Sequence, residues 1–296
     1  MQSVLVTGAG FIGNALINAL KSRGISVVGV ARHPRGADVI GGDAGDWQFM
    51  LKLMLERNVD TVFHLAADAT VAQVHNMPYE SALNNVRAVL GVLEAARRYG
   101  KARVVVLGTD KEYGEVEDAD EDAPLARNSG VYGASKLAAT FLALAYRQEF
   151  GLDVTVARSV NIYGPGDTNL TRIVPKAIWS FMKGVPFTLY VPAGKRAYIY
   201  IDDLVNALAT IAERGRDYPV INVCSRDIKS SDEVVKEILK YFPNGVVKEV
   251  PSPYPEIRNQ SLRCDKLKSL GWQQTISFEE GIRRTVEWWL KTKPIG

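Results

Sequence analysis

The segment from Gly108 to Gly114 reads GTDKEYG, and a Tyr-x-x-x-Lys pair follows it at Tyr132 and Lys136. Residues four apart lie on one face of a helix, so the phenol and the ammonium are predicted neighbours. A nearby ammonium favours the phenolate, which would lower the pKa of Tyr132 and make it a candidate general base. Thr109 ends an apolar strand and can share the proton of a substrate hydroxyl with Tyr132. The three side chains indicate proton and hydride chemistry at one carbinol.

An acid and an amine, Asp110 and Lys111, stand directly after Thr109. Once a carbinol has been oxidised to a ketone, the neighbouring C–H bond is acidic, and a base and an acid beside it can eliminate water. Lys111 is the candidate base for that C–H bond, and Asp110 is the candidate acid for the leaving hydroxyl. The alternative is an Asp-Lys pair on a loop, either solvated or in salt bridges with its neighbours.

The segment GAGFIG, residues 8–13, stands between a short apolar strand at 4–6 and a helical pattern of apolar residues. Gly8 permits a tight turn, Gly10 lets backbone amides approach a pyrophosphate, and Gly13 lets the helix pack on the strand. The pyrophosphate would then lie at the positive end of the helix. A dinucleotide cofactor is therefore predicted. The residues predicted to contact it through this turn are Gly8, Gly10, Phe11, Ile12 and Gly13.

The next strand ends in VARH, residues 30–33, without the Asp or Glu that would bind the 2′-hydroxyl of NAD. The Arg32 guanidinium matches a 2′-phosphate, so NADP is the preferred cofactor and NAD the alternative. A solvent-facing Arg32 would have no such role. Asp43 is a candidate contact with the adenine, with a solvated loop acid as the alternative. The three histidines do not cluster, so no metal site is predicted, and His64 is interpreted as a core or loop residue.

Further buried-strand candidates alternate with helical stretches, which predicts an α/β fold with a Rossmann-type doubly wound parallel sheet. The strand candidates are Val27 to Val30, Val59 to Leu65, Arg103 to Leu107, Val154 to Ala157 and Val220 to Val223. From about Gly164 onwards, prolines and glycines punctuate the chain. Residues 1–163 are predicted to form a dinucleotide-binding domain, to which residues 197–225 return. Residues 164–196 and 226–296 are predicted to form a smaller α/β substrate-binding domain.

Composition excludes several classes of partner. Lys and Arg total 36 against 33 Asp and Glu, a net charge of +3, and no basic run interleaves with aromatics, so nucleic acid is not expected. Residues 2–20 carry no charge, but three glycines interrupt them and a basic n-region is missing, so no membrane segment is predicted. Cys224 and Cys264 lack Cys-x-x-Cys spacing and are interpreted as packed thiols in a reducing compartment. A cytoplasmic protein is expected.

Together these motifs resemble the extended short-chain dehydrogenase/reductases of the NAD-dependent epimerase/dehydratase family. The resemblance spans nearly the whole chain, through TGAGFIG from Thr7, HLAA from His64, NNV from Asn84, TDKEYG from Thr109, YGASK from Tyr132, ARSVNIYGPG from Ala157, RAYIYIDD from Arg196 and LGW from Leu270. It implies that Thr109, Tyr132 and Lys136 carry out hydride chemistry at the C4 carbon of a sugar. The residues it places at the cofactor are Ala66, Ala67, Asn85, Tyr132 and Lys136.

The family divides by the residues that follow the threonine. Epimerases resemble Ser-Ser-Ala-x-Val-Tyr-Gly, whereas dTDP-glucose 4,6-dehydratases carry Thr-Asp-Glu and some CDP-glucose and UDP-N-acetylglucosamine dehydratases carry Asp-Lys. Asp110 and Lys111 follow the last pattern, which implies a 4,6-dehydratase that converts an NDP-hexose to an NDP-4-keto-6-deoxyhexose. A 4-epimerase, an NADPH-dependent 4-keto-sugar reductase and a non-catalytic NADP-binding regulator are the alternatives. Glu112 departs from the apolar residue that is common in the family.

The nucleotide-diphosphate sugar is expected at Asn161 and Arg196, which match family positions that contact the diphosphate or order the domain junction. An arginine fork suits a diphosphate, and an ordinary hinge contact is the alternative. Arg258 and Arg263 are not assigned, because PYPE at residues 253–256 replaces the usual Arg-x-Gly-Asp pattern. The resemblance also implies a homodimer through apolar stripes on two helices, although core packing explains the same stripes. The stripes are Val86, Val89, Leu90 and Leu93 on one helix and Leu137, Phe141 and Leu144 on the other.

Overall fold

A parallel sheet of seven strands forms the centre of the molecule in the computed structural model, which describes residues 1–34, 36–68, 71–127, 129–252 and 258–295. The strands are β1 Ser3–Thr7, β2 Ser26–Ala31, β3 Val39–Gly41, β4 Thr61–His64, β5 Arg103–Thr109, β6 Val116–Ala119, β7 Val154–Ser159, β8 Asn161–Tyr163, β9 Phe187–Val191, β10 Lys195–Tyr200, β11 Val220–Val223, β12 Ile228–Ser230, β13 Val247–Pro251 and β14 Asn259–Leu262. The central order is β11-β7-β5-β4-β1-β2-β3, with every neighbouring pair parallel. The predicted α/β class is confirmed.

Helices cover both faces of this sheet. They are α1 Phe11–Ser22, α2 Trp47–Arg57, α3 Val71–Asn76, α4 Pro78–Tyr99, α5 Gly130–Phe150, α6 Ile173–Met182, α7 Ile201–Arg214, α8 Ser231–Leu239, α9 Asp265–Ser269 and α10 Phe278–Thr292. The buried apolar residues form two clusters, one that includes α1 and α7 and another that includes α2, α4 and α5. None of the described helices has the length and apolar character needed to cross a membrane.

The strands β4, β5 and β7 are buried along their whole length, because helices cover both faces of the sheet. This explains why they appear in the sequence as continuous apolar runs. Each ends in a polar residue, His64, Thr109 or Ser159, at the carboxyl edge of the sheet, where parallel α/β folds bind ligands. The strand β5 continues two residues beyond its predicted end and so carries Thr109 to this edge.

A second sheet connects the later part of the chain to the segment after β5. Its order is β12-β10-β14-β6, with β8 paired to β10. In this sheet Arg196 of β10 stands in register beside Gln260 of β14, and Gln260 stands beside Val116 of β6. The strand β6 begins four residues after the Asp110–Glu112 turn. The second sheet therefore reaches the residues that follow Thr109.

The two cysteines form a disulfide, so their interpretation as separate packed thiols is wrong. Cys224 directly follows β11 and Cys264 directly precedes α9, and these two elements pack against each other. Their Cα atoms are 5.4 Å apart, within the range that a disulfide spans. A separation of 40 residues in the sequence concealed this proximity, because only the packing of α9 on β11 brings the two ends together.

Candidate active site

A cavity of about 790 Å³ lies along the carboxyl edge of the central sheet. The predicted cofactor residues that line it are Gly8, Gly10, Phe11, Ile12, Arg32, Asp43, Ala66, Ala67 and Asn85. Gly13, Tyr132 and Lys136, which were also predicted, are outside this lining. The volume and the alignment with a helix N-terminus suit an elongated anionic ligand.

The glycine turn is shaped for close approach of a ligand. Gly8 has φ +78°, and a Cβ there would lie 2.6 Å from the backbone nitrogen of Ala66. A Cβ on Gly13 would collide with the carbonyl oxygen of Gly8, so α1 packs closely on the turn. Gly10, in contrast, faces open space and precedes α1, whose first turn contains no acidic residue. The turn fits a pyrophosphate at the N-terminus of α1.

Arg32 lies at the cavity wall, with 61% of its side chain exposed. Its Nη2 is 3.3 Å from Oδ1 of the buried Asp68, a residue that the sequence analysis did not identify. Asp68 is itself held by Asn84, whose Nδ2 donates to Oδ2 at 3.2 Å, and by Asn85, whose Oδ1 accepts from the Asp68 backbone N–H at 2.7 Å. Asp43 likewise pairs with Arg87, at 3.0 Å. Both predicted cofactor residues are thus held in place by charged partners.

The residues Asp110–Glu112 form a 3-10 turn directly after β5, which we call the Asp-Lys turn. Thr109 is its N-cap, and the Thr109 hydroxyl accepts from the Lys111 backbone N–H at 3.3 Å. The same hydroxyl donates to Oδ1 of Asp110 at 3.1 Å and is hydrogen-bonded to the phenol of Tyr132. The Thr109 hydroxyl therefore contacts the side chains of Asp110 and Tyr132, and Lys111 contacts Asp110, so four of the five predicted catalytic side chains are connected.

Asp110 and Lys111 are both turned into the protein, with 2% and 18% of their side chains exposed. The Lys111 Nζ donates to Oδ1 of Asp110 at 2.9 Å and to Oε1 of Gln260 at 2.5 Å. Oδ2 of Asp110 is buried without a hydrogen-bond partner in the described part of the chain. A solvated loop pair is therefore excluded, and the alternative that remains from the sequence is a salt bridge.

Burial raises the pKa of Tyr132 to about 12, and the hydrogen bond with Thr109 opposes this rise. Lys136 is not among the groups that lower this pKa in the observed arrangement, in contrast to the expectation from the sequence. The Lys136 Nζ donates instead to the backbone oxygen of Leu107 at 2.6 Å, and burial lowers the pKa of Lys136. His64 is buried next to them, as interpreted, and desolvation together with Lys136 lowers its pKa to about 3.

Glu112 is fully buried, and its carboxylate stabilises the Asp-Lys turn through hydrogen bonds. Its Oε1 accepts from the backbone N–H of Thr109 at 3.1 Å, which completes a capping box. Its Oε2 accepts from Arg158 Nε at 2.7 Å and from Thr140 Oγ1 at 2.9 Å. Glu112 thus replaces the apolar residue that is common in the family, and its charge is balanced by the buried Arg158 of β7. The hydroxyl comes from Thr140 of α5, one helical turn after Lys136.

The predicted substrate residues Asn161 and Arg196 lie on β8 and β10, outside the lining of the main cavity. Nδ2 of Asn161 donates to the Ala197 oxygen at 3.2 Å, and Nη1 of Arg196 donates to the Lys195 oxygen at 2.9 Å. The side chain of Arg263, which was left unassigned, pairs with Asp265. The PYPE segment is outside the described residues.

Two further charged residues that the sequence analysis missed, Asp167 and Arg172, line the cavity. Nη1 of Arg172 is 2.9 Å from Oδ1 of Asp167, and the Arg172 guanidinium lies 5.9 Å from the ring centre of Phe11. Asp167 is buried, its Oδ2 has no hydrogen-bond partner among the described residues, and burial raises its pKa. The signal that could have identified them is the position of Asp167, directly after the Gly-Pro-Gly turn that ends the ARSVNIYGPG motif.

The model of the NAD dependent epimerase/dehydratase family matches residues 4–224. The chain belongs to this family. The match contains the glycine turn, the Asp-Lys turn and the Tyr-x-x-x-Lys pair, so the family assignment covers all the predicted catalytic residues. The matched segment ends at residue 224, before β14, the strand that contains Gln260.

Relatives of this epimerase/dehydratase family protein carry two kinds of name. It is 30% identical to the dTDP-glucose 4,6-dehydratase of Xanthomonas campestris pv. campestris, over 98% of the chain and 93% of the relative. It is 27% identical, over 97% of the chain, to the trifunctional UDP-glucose 4,6-dehydratase/UDP-4-keto-6-deoxy-D-glucose 3,5-epimerase/UDP-4-keto-L-rhamnose-reductase of Arabidopsis thaliana, but spans only 47% of that protein. The UDP-glucose 4-epimerase of Thermus thermophilus, solved in complex with NAD, has a TM-score of 0.90 and 29% identity, with 98% and 100% of the two chains covered.

Proposed function

We propose that this protein is a nucleotide-sugar 4,6-dehydratase. The observation that carries the proposal is the unpartnered, buried Oδ2 of Asp110, in a turn where Lys111 and the Thr109–Tyr132 hydrogen bond meet. A buried acceptor without a partner costs about 1–3 kcal/mol, so a ligand hydroxyl is the expected partner. Elimination of water needs such an acid beside a base, whereas oxidation alone does not.

The proposed reaction begins at the C4 hydroxyl, whose proton Tyr132 accepts while Thr109 holds the oxygen. A nicotinamide dinucleotide held at the glycine turn would supply the acceptor for the C4 hydride and the donor that reduces C6. The C4 ketone acidifies C5–H, and Lys111 takes that proton. The electrons of the C5–H bond form the C5=C6 bond as the C6–O bond breaks, and Asp110 protonates the leaving oxygen to give water. Lys111 then returns its proton to C5. Tyr132, a phenolate at the start that a bound oxidised nicotinamide would favour, has gained the proton that Asp110 has lost. Proton transfer from Tyr132 to Asp110 through the Thr109 hydroxyl, which is hydrogen-bonded to both side chains, restores the base and the acid.

NADP is the proposed cofactor, with NAD as the alternative. Arg32 at the cavity wall supports NADP, because a guanidinium binds a 2′-phosphate. Arg32 contacts Asp68 through Nη2 alone, which leaves other N–H donors of its guanidinium for a phosphate. The structural similarity to a UDP-glucose 4-epimerase that was solved with NAD supports the alternative.

The proposed substrate is a nucleoside-diphosphate hexose, and we assign it to the Asp-Lys turn and the neighbouring strands of the second sheet. Arg196 stands beside Gln260 in that sheet, and Gln260 contacts Lys111, so the predicted diphosphate residue is one strand from the base. Asn161 on β8 pairs in register with Tyr198 of β10, two residues after Arg196. The segments 164–196 and 226–296 are accordingly proposed to bind the substrate.

A 4-epimerase is the second candidate, and the similarity to the Thermus thermophilus UDP-glucose 4-epimerase favours it. The two activities are separated by incubating the protein with a panel of nucleotide hexoses in heavy water, followed by mass spectrometry. A dehydratase gives a product that has lost water and carries solvent deuterium at C5, without net consumption of cofactor. A product isomeric with the substrate would establish epimerisation instead.

We also propose a homodimer through the exposed faces of α4 and α5, which pack side by side. Val89 and Leu93 of the predicted stripes are buried in the core, but Tyr79, Leu83 and Phe141 are at least half exposed. Such a pair of apolar faces suits a second copy related by two-fold symmetry. Light scattering after size exclusion should give the mass of a dimer, and Leu83→Glu with Phe141→Glu should give a monomer. A monomeric wild-type protein at micromolar concentration would contradict this.

A further inference from the structure

The buried side chain of Gln260, which belongs to β14 and not to the matched family segment, makes three hydrogen bonds with the Asp-Lys turn and the residues directly after it. Its Nε2 donates to the carbonyl oxygens of Asp110, at 3.0 Å, and of Gly114, at 2.7 Å. Its Oε1 accepts from the Nζ of Lys111 at 2.5 Å. One amide therefore contacts the first residue of the turn, the backbone two residues after its end, and the amine of Lys111.

These contacts fix the orientation of the Gln260 amide. Only the NH₂ group of an amide can donate to two carbonyl oxygens, so the NH₂ must face Asp110 and Gly114. The carbonyl oxygen then has to point at Lys111. A flipped amide would place oxygen against oxygen on the turn and leave Nζ facing a donor. The acceptor next to Lys111 is thus set by the backbone of the turn itself.

Two acceptors on Lys111 determine where its lone pair points. A neutral amine has two N–H bonds and one lone pair in a tetrahedral arrangement. Oδ1 of Asp110 and Oε1 of Gln260 take the two N–H bonds, at 2.9 Å and 2.5 Å. The lone pair is left in the remaining direction. Lys111 keeps 18% of its side chain exposed, so a ligand can reach part of this side chain.

We infer that Gln260 is a positioning residue for the elimination step, which orients the lone pair of Lys111 toward the C5 hydrogen of the hexose. This inference rests on the proposed dehydratase function. The inference gives β14 a role in the elimination. This role is separate from the redox step, because none of the hydrogen bonds of Gln260 among the described residues reaches Thr109 or Tyr132. Loss of Gln260 should therefore slow proton removal from C5 and leave oxidation at C4 unchanged.

The test is Gln260→Met, which keeps the length of the side chain and removes its polar atoms. In a single turnover, the near-ultraviolet absorbance of the reduced nicotinamide should rise at the wild-type rate and decay roughly tenfold to a hundredfold more slowly, the scale of a misplaced catalytic group. Incorporation of solvent deuterium at C5 should slow equally, so kcat falls while KM stays near the wild-type value. Gln274→Leu is the matched control, since Gln274 contacts Ser225 and Asp227 away from the turn.

A double-mutant cycle with Lys111→Met separates positioning from general damage. If Gln260 acts through Lys111, Gln260→Met should cost almost nothing further in the Lys111→Met background. If Gln260→Met does not fold, Gln260→Glu tests the inference in its place. Its carboxylate cannot donate to the carbonyl oxygens of Asp110 and Gly114, so this variant should also slow elimination. Wild-type elimination in either folded variant overturns the inference. If the wild-type protein itself forms no 4-keto-6-deoxy product, the proposed function fails instead.

Discussion

At the scale of single residues, the site depends on a change of backbone direction immediately after Thr109. Consecutive side chains of a strand point to opposite faces, so Thr109, Asp110 and Lys111 could not act together in an extended chain. The Asp-Lys turn removes this obstacle, because Thr109 caps it and hydrogen-bonds the Asp110 carboxylate. Three adjacent residues can therefore supply a hydroxyl, an acid and an amine to one ligand.

Replacing either member of the pair should impair elimination selectively. Asp110→Asn removes the acid and Lys111→Met the base, and each should slow dehydration by roughly a hundredfold to ten-thousandfold. The measurement is the rate of water loss from the nucleotide sugar under saturating substrate. Lys52→Met, on the exposed surface of α2, is the control and should retain the wild-type rate. Near-normal dehydration in both site variants would remove the pair from the mechanism.

Arg32 should decide the preference between the two dinucleotides. In Arg32→Ala the 2′-phosphate loses a charge-assisted hydrogen bond, so the Kd for NADPH should rise roughly tenfold to a hundredfold while the Kd for NADH changes little. Fluorescence titration with each reduced dinucleotide measures this. Equal weakening of both would indicate that Arg32 supports the cavity wall and does not read the phosphate.

At the scale of elements, a buried ion pair joins the Asp-Lys turn to the sheet and to α5. Glu112 belongs to the turn, Arg158 to β7 and Thr140 to α5, and the two charged side chains are 2.7 Å apart with almost no exposure. Arg158 also donates to the Tyr113 hydroxyl at 2.8 Å. This arrangement holds the turn over the helix that carries Tyr132 and Lys136.

Breaking this ion pair should cost the protein much of its stability. Glu112→Leu leaves Arg158 buried without its carboxylate, so the free energy of unfolding should fall by about 3–5 kcal/mol. Adding Arg158→Leu should recover much of that loss. Urea denaturation measures both variants, with Glu56→Leu at an exposed pair as the control, for which about 1 kcal/mol or less is expected. If Glu112→Leu lowered the free energy of unfolding by no more than Glu56→Leu does, the ion pair of Glu112 and Arg158 would contribute little to stability.

At the scale of the whole molecule, the pH dependence of folding reports on His64, buried at the end of β4. Its pKa is lowered from 6.5 to about 3 by desolvation and by Lys136. Below pH 6.5 the His64 side chain binds a proton in the unfolded chain, whereas in the folded protein it does so only at about pH 3. The free energy of unfolding therefore decreases as the pH falls from about 6.5 to about 3. Acid should therefore destabilise the protein.

The comparison of wild type with His64→Asn tests this linkage. Between about pH 7 and about pH 5, the free energy of unfolding of the wild-type protein should fall by about 2 kcal/mol more than that of the variant. Urea unfolding at a series of pH values gives both curves. Parallel curves would contradict the prediction, because they would mean that His64 binds its proton at the same pH in the folded and the unfolded protein.

The parallel sheet and the glycine turn could be predicted because their signals are local. Apolar runs such as Arg103 to Leu107 are buried on both faces, and the glycines at 8, 10 and 13 stand at a fixed spacing in one turn between a strand and a helix. The class of the fold and the family follow from these segments.

The residues that were missed come from distant parts of the chain. Gln260 reaches the Asp-Lys turn across 149 residues, and Asp68 reaches Arg32 across 36. The cysteines are joined over a separation of 40 residues. No periodicity or motif records such pairings, because they depend on which strands and helices become neighbours.

The amino-acid sequence was sufficient for the chemical groups and for the order of the elements that carry them, since residue type and local spacing specify both. Tertiary structure decided the electrostatic state of those groups. Burial raises the pKa of Tyr132, Lys136 bonds to Leu107 in place of Tyr132, and Gln260 directs Lys111. Desolvation and hydrogen-bond partners arise only when remote segments pack, and they act over a few ångströms in space without regard to distance along the chain.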